Sequence, residues 1–581
     1  MPDQSPDTTP EKPQKTFVAH ARIISLLTLF SRILGMARER VSAQYFGAGI
    51  VSSAFIVAFS IPNMFRKLFG EGALSAAFIP LYTKALKEEK ENASSPVAAS
   101  ANEFAAASVN LLTLILLTIT IIGEIVLWLI CFLNPNMRGD WLLTLKFTAV
   151  MLPYVMLICG TAFLSSILQV HHRFAIPAFA PVILNVIHIV VIIAGAKFLH
   201  IQIRSDSAAS TIAATTASQT RLAYILSAFV LVAGVLQVMI LIPSLRAVGF
   251  KLKWVKNFWT PSVKQMLLMS LPVALSASVL QISVLMDKGI SLLLAKGVDK
   301  AGNVISVFHL FGTEIRCPME LGAAARLNWA QFLYQFPLGV FAIAIATAIF
   351  PKLSDKALDA DQNEFKSVLR MGIEATLFEG FAASVGLIVV RYPIAKLLFL
   401  TGGMTMADID LIARSVLYYS TAIWAFSLLQ VVNRAFFALH DTRTPLILSV
   451  VNIAINLIVE LPLVWVKAIG ESGMAIGTAV SFAVQTVIML WILDRRLNGL
   501  ELYRCRSRII GMFIAALIMG GACWAVQKTQ WYPQRETKWC WTVQLIILMS
   551  VGALVYLRIC QWIGVDMLDQ FLPRKWKRKK S

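Results

Sequence analysis

The chain is 581 residues long, 57% hydrophobic and only 14% charged, with a mean hydropathy of +0.71. Soluble domains carry about 25% charged residues, so this composition excludes an ordinary globular enzyme and defines a polytopic membrane protein. The formal charge of +20 would point toward nucleic acid in a soluble protein; here its meaning depends on which loops carry it, and no nucleic-acid partner is expected.

Residues 1–16 (MPDQSPDTTPEKPQKT) are polar and Pro-rich and read as a cytoplasmic N-terminus. The apolar run that follows carries Arg22, Arg32 and Arg38 without a small-residue cleavage site, so no signal peptide is expected. Stretches long enough to cross a bilayer, about 20 residues each, then fall at 17–40, 52–80, 103–133, 141–170, 175–199 and 221–245. A second six follow at 262–295, 327–350, 367–399, 408–439, 445–467 and 473–493, and a last pair at 509–527 and 539–564. The Ser/Thr/Ala-rich run 205–219 reads as a flexible loop. The insertion 297–325, containing HLFGTEIRCPMEL, reads as an interfacial element or a surface lid.

The halves repeat. AAFIPLYTKAL around Pro80 resembles TAIFPKLSDKAL around Pro351, and FAIPAFAPVILNVIHIVV around Asn185 resembles TRTPLILSVVNIAINLIV around Asn452. Each unit holds an even number of helices, so the two share one orientation and are related by an axis along the membrane normal. The expected fold is therefore all-α with about fourteen transmembrane helices: an N-lobe at 17–250, a C-lobe at 251–498 with the insertion at 297–325, and helices thirteen and fourteen with a basic tail at 499–581. Loops on the side of the termini carry more than twice as many Lys and Arg as the opposite loops, which predicts that both termini are cytoplasmic. The tail PRKWKRKKS is placed to touch anionic headgroups or to serve as a simple topology anchor.

A charge within a spanning helix costs about 2.5–3.5 kcal/mol, so each such group needs a partner, a wet cavity or a task. The first helix contains SRILGMARER, with Arg32 and Arg38, and the second IPNMFRKLFGEGALSAAFIP, with Pro62, Asn63, Arg66, Lys67 and Glu71. Pro62 is expected to break or kink the second helix. The functional reading is that Arg32, Arg38 and Arg66 converge between the lobes and grip a phosphate; against it stands snorkelling, or pairing with Glu39 and Glu71. Asp287-Lys288 in the seventh helix reads as a self-neutralising pair or a coupling-ion ligand. Glu374, Glu379, Arg414, Arg434 and Glu460 receive no role, several lying near estimated helix ends. His171-His172 reads as a solvated turn. The seven Cys show no ligand spacing, no metal or cofactor is expected, and no nucleophile elbow, HExxH or P-loop points to catalysis or ATP hydrolysis.

SRILGMARERVSAQYFGAG, AFIVAFSIPNMFRKLFGEGALSAAFIP, YQFPLGVFAIAIATAIFPKLS, PIAKLLFLTGG and NRAFFALHDTRTP together resemble the MurJ (MviN) lipid II flippase family over roughly residues 20–500. The resemblance implies a fold of the multidrug/oligosaccharidyl-lipid/polysaccharide exporter superfamily, two six-helix lobes and two further helices shaping a lipid-tail groove. It implies lipid II as substrate, and it carries over Arg32, Arg38, Asn63, Arg66 and Glu71 as headgroup-cavity residues, with Asp287 from the seventh helix. Two positions depart from the family pattern: Phe332 stands where the eighth helix usually has a basic residue, and Ser53 where an acidic one is common. Arg326, six residues before Phe332, either reaches inward in place of the lost cation or belongs to the outer insertion.

The expectation is a non-enzymatic, monomeric flippase of the bacterial cytoplasmic (inner) membrane, contacting membrane lipids and moving the lipid II headgroup by alternating access, with the coupling ion open. The alternatives are a polysaccharide-lipid or drug/cation exporter of the same superfamily, in which acidic groups would dominate an antiporter's cavity, and a non-transporting membrane scaffold. A glycosyltransferase-type enzyme would need a large outer loop with paired carboxylates, which is lacking.

Overall fold

The computed structural model describes residues 12–70, 73–91, 101–201, 209–255, 258–299, 303–310, 313–357 and 362–565. The first half contains α1 (Lys12–Phe46), α2 (Ile50–Phe65), a π-helical turn (Arg66–Gly70), α3 (Ala73–Glu91), α4 (Ala101–Leu133), α5 (Gly139–Met151), α6 (Tyr154–Val170), α7 (Ala175–Phe198) and α8 (Ala209–Ala247). The second half contains α9 (Pro261–Leu294), α10 (Ala323–Pro337), a second π-helical turn (Leu338–Ala342), α11 (Ile343–Lys356), α12 (Gln362–Phe399), α13 (Met406–Ser420), α14 (Ile423–Ala438), α15 (Arg443–Leu463) and α16 (Ser472–Arg496). Two more helices, α17 (Tyr503–Gln527) and α18 (Lys538–Trp562), close the described chain.

The break expected at Pro62 is present, and a second one matches it in the other half. Pro62 lies one turn before the first π-helical turn and Pro337 immediately precedes the second, each removing an N–H from the helical ladder. The α5–α6 pair bends by 46° around Pro153, and its counterpart α13–α14 by 45° around Thr421-Ala422. The internal repeat thus extends beyond sequence: paired breaks fall at matching places in the two units. Counting each broken or bent pair as one span gives the fourteen predicted helical segments. Among the described residues nine helices are long and apolar enough to cross a membrane, or eleven with the two bent pairs. The spans outside that set include α1 and α2–α3, whose Arg32, Arg38, Arg66 and Lys67 lower their apolarity.

One hydrophobic core runs from Phe46 at the end of α1 to Met266 at the start of α9 and joins the helices between them around Phe78, Phe147, Tyr154 and Phe163. Two others serve the second half, one around Trp329, Phe399 and Tyr419 and one around Phe365, Leu369 and Phe436. A fourth, of Met512, Ala515, Ala516, Met519, Tyr556 and Cys560 against Ala375, fastens α17 and α18 to α12. By contrast α4 turns Ile121, Ile122, Ile125, Trp128 and Phe132 outward, as a lipid-facing helix does. The seven cysteines are free thiols.

One expectation changes, and one segment gains a structure. The run 205–219 is helical from Ala209 onward as the start of α8; residues 202–208 lie outside the described set. The insertion 297–325 contains two small antiparallel hairpins, β1 (Gly297–Val298) with β2 (Val304–Ile305) and β3 (Val307–Leu310) with β4 (Thr313–Arg316), before α10 resumes at Ala323. The basic tail lies outside the described residues.

Candidate functional site: a cationic cavity between the halves

A cavity of about 830 Å³ lies between α1, α2, α6 and α7 on one side and α9 and α10 on the other. It reaches from Gln169 and Phe174, at a turn on the side of the chain termini, to Phe46 and Ser52 near the opposite side. There the halves touch. A Cβ at Gly47, whose φ is +60°, would overlap the Gly403 carbonyl, so only glycine allows this approach. Nearby, Arg138 donates to the carbonyls of Leu293 and Ala295, each at 3.0 Å, capping the end of α9 while its own charge is held by Asp140 at 2.8 Å.

Arg32, Arg38, Asn63 and Arg66 all line this cavity, together with Lys67 and Lys288. The described lining thus holds five basic side chains and a single carboxylate, Glu39. Glu71 lies outside the described residues.

Arg38 is fixed at three points. It donates to Asn185 Oδ1 at 3.1 Å and to Glu39 Oε1 at 2.6 Å, and its guanidinium sits 5.9 Å from the Phe59 ring centroid. Pairing with Glu39 and lining the cavity are therefore both true of Arg38. Asn185 in turn donates to the Ser31 carbonyl at 3.2 Å, tying α7 to α1. Arg32 makes no hydrogen bond or ion pair among the described residues; its guanidinium lies against Gly339 of the second π-helical turn, where a Cβ would collide with it. Asn63 lines the cavity but returns its amide to the Phe59 carbonyl at 3.2 Å.

Asp287 and Lys288 are not a mutual ion pair. Lys288 turns to the cavity, donating to Ser60 Oγ at 2.7 Å and Asn328 Oδ1 at 3.0 Å. Asp287 turns inward, accepting at 2.9 Å from Asn456 Nδ2, which also donates to Glu460 at 3.1 Å. Glu460 is fully buried, carried by α15 against Gly477 of α16. Glu374 is likewise buried, paired with Arg508 at 2.8 Å.

Phe332 does line the cavity, with an uncharged ring. Arg326 does not replace the missing cation. It is buried beside the opposite-side loops, bound to Glu471 at 2.6 Å and Asp408 at 3.0 Å and donating to the Leu321 carbonyl at 2.8 Å. Sequence reasoning also missed His188, buried on the cavity wall between Phe55 and Phe59 with ring centroids 5.6 and 6.0 Å away. Its signal was its place three residues after Asn185 on one helix face.

A repeated helical bundle that encloses one polar, cation-lined chamber between its halves is built as a membrane transporter for an anionic solute. Its family is shown by sequence: the chain belongs to the lipid II flippase MurJ family, whose model matches residues 42–539. Relatives named probable lipid II flippase MurJ include one from Rhizobium tropici, 29% identical over 94% of this chain and 95% of its own length. Another, from Vibrio cholerae, is 27% identical over 94% and 96%. A solved lipid II flippase MurJ in an inward closed conformation superposes with a TM-score of 0.68 at 22% identity, covering 94% of this chain and 99% of the other. An inward-facing multidrug resistance MATE family transporter of the MOP superfamily matches at a TM-score of 0.55 and 14% identity, over 82% and 99%. Both likenesses concern the fold.

Proposed function

We propose that the chain moves the headgroup of lipid II, the undecaprenyl-diphosphate-linked peptidoglycan precursor, from the cytoplasmic to the outer leaflet by alternating access. The observation that carries this reading is the excess of cations in the cavity, five against one carboxylate among the described lining residues. Guanidinium groups bind phosphate oxygens through short, charge-assisted hydrogen bonds, and a cavity of this sign suits a diphosphate and repels a cationic drug. Arg32, Arg38 and Arg66 are the diphosphate ligands, and Asn63 and Glu71 belong to the same headgroup site. No covalent bond changes and the chain is not an enzyme.

In this reading the bodies that rock are residues 17–250 and 251–498, with 499–581 attached to the second. The termini face the cytoplasm, the cavity fills from that side, and the Gly47–Gly403 and Arg138 contacts close the outer end. A monomer suffices, since one chain supplies the whole cavity. Asp287 and Glu460 share one amide donor in a buried place, so their pairing calls for a proton or a cation. That uptake couples the return step to the membrane potential, worth about 2.3 kcal/mol per charge per 100 mV. The test is rescue: the wild-type chain restores growth to cells depleted of their own lipid II flippase, and Arg38→Ala or Arg66→Ala abolishes the rescue at equal expression. Rescue by both variants would overturn the assignment.

A further inference from the structure

Four of the five described cations in the cavity wall, Arg32, Arg38, Arg66 and Lys67, come from the first two spans. The facing wall is built by Gln281, Asn328, Gln331, Phe332 and Gln335, uncharged side chains, with Lys288 as its one described charge. A diphosphate held by the first spans therefore meets a single ammonium from the other half.

That ammonium is held lightly. Its two partners, Ser60 Oγ and Asn328 Oδ1, are neutral, and no carboxylate lies within ion-pair distance of it among the described residues. The charges it feels across the cavity are Glu39 and Lys67, besides its chain neighbour Asp287, which is engaged with Asn456 on another side of α9. An ammonium has three donors, and its third has no acceptor among the described residues. A half-buried charge served by two neutral acceptors gains from exchanging one of them for an anionic oxygen, since hydrogen bonds between two charged groups are stronger than those to a neutral acceptor. The two partners also differ in origin: Asn328 sits on α10, in the same half as Lys288, and Ser60 sits on α2, in the first half. The Lys288–Ser60 bond is thus a tie between the halves that the solute itself can replace.

We propose that Lys288 is a substrate-binding residue that reports occupancy of the cavity: when the diphosphate arrives, the ammonium leaves Ser60 for a phosphate oxygen and the substrate becomes the bridge between the two halves. This rests on the proposed transport of lipid II and adds a ligand from the second half. Because Asp287 is the adjoining residue of the same helix, a pull on Lys288 reaches the Asp287–Asn456–Glu460 cluster directly.

The experiment measures binding of lipid II and of undecaprenyl diphosphate to the purified full chain in nanodiscs, for the wild type, Lys288→Met, Lys288→Arg, Ser60→Ala and Arg38→Ala, with melting temperatures recorded alongside. Lys288→Met, which keeps the chain length and removes the charge, weakens both ligands by about tenfold or more, the value of one charge-assisted hydrogen bond, without lowering the melting temperature. Lys288→Arg keeps binding within a few-fold. Ser60→Ala, which removes the competing acceptor, tightens both ligands. The proposal is overturned if Lys288→Met binds like wild type while Arg38→Ala binds weakly, a result that leaves the transport reading standing. Normal binding by both variants would instead remove the transport reading. Weakening confined to lipid II would assign the contact to a carboxylate of the stem peptide and overturn the diphosphate assignment, and weaker binding by Ser60→Ala would overturn the exchange.

Discussion

Trp329 and Glu39, 290 positions apart, are joined by a hydrogen bond of 3.1 Å from the indole N–H to Oε2. The other oxygen of the same carboxylate accepts from Arg38 at 2.6 Å, so one acidic group links a cavity arginine of the first half to a fully buried ring of the second. Trp329→Phe leaves Oε2 without its donor and, by removing part of a fully buried ring, also opens a small cavity. The expected cost is about 1–3 kcal/mol, read as a lower melting temperature of the detergent-solubilised protein. An unchanged melting temperature would show that water or another donor replaces the indole.

The Arg326 network makes a separate prediction. Arg326 and Glu471 are nearly inaccessible, with side-chain exposures of 3% and 2%, and their contact joins α10 to the start of α16. Removing one partner leaves a buried charge alone, so Arg326→Met is expected to cost about 3–5 kcal/mol, while Arg326→Met combined with Glu471→Leu recovers most of the loss. A double-mutant cycle on thermal or denaturant unfolding checks it, and additive losses would contradict it.

Gly339 provides a way to move Arg32 without altering it. A Cβ there meets the guanidinium of Arg32, the far end of a flexible side chain, so Gly339→Ala displaces the charge at little cost to the fold. Lipid II affinity is expected to fall about tenfold with the melting temperature preserved. Undiminished binding by this variant would mean that Arg32 works equally well from a second rotamer.

Acid stability follows from two carboxylates outside the spanning segments. Hydrogen bonds from Lys396 to Glu536, at 2.7 and 3.0 Å, hold that carboxyl below the ordinary glutamate value despite some burial. For Asp441 burial pushes upward. Hydrogen bonds from the Thr444 hydroxyl and amide and the Arg443 amide, together with the Arg496 charge, outweigh it and leave the carboxyl below the usual range. Both folded-state values are depressed, so the stabilisation is present above the unfolded values of about 4 and disappears as pH falls through the folded ones. Glu536→Gln should therefore melt below wild type at pH 7, with the difference closing in more acid buffer. A gap that persists below about pH 3 would point to a cause other than charge.

Much of the architecture was legible in the sequence because the bilayer imposes a length on each apolar run and the two units repeat. Pro62 announced the break in the second span. Its counterpart at Pro337 was also legible in principle, since both prolines remove a backbone donor at corresponding places. The cavity arginines were visible because charges inside apolar helices are costly. Partner choice was not visible. Whether Lys288 faces Asp287 or Ser60, or whether Arg326 points inward or toward Glu471, depends on rotations of α9 and α10 set by packing from distant parts of the chain. The start of α8 was misread because Ser and Thr are common in loops, yet both are accommodated in membrane helices by bonding to the carbonyl one turn back, as Thr220 and Ser227 do here.

The most direct test of a cation-lined diphosphate site compares the affinity of the purified chain for lipid II with its affinity for an analogue carrying the same sugar-peptide and lipid on an uncharged linkage. The account predicts that the neutral analogue binds at least about a hundredfold more weakly, two charge-assisted hydrogen bonds being lost, and that Arg32→Ala and Arg38→Ala erase this preference. Equal affinity for the charged and uncharged ligands would contradict it.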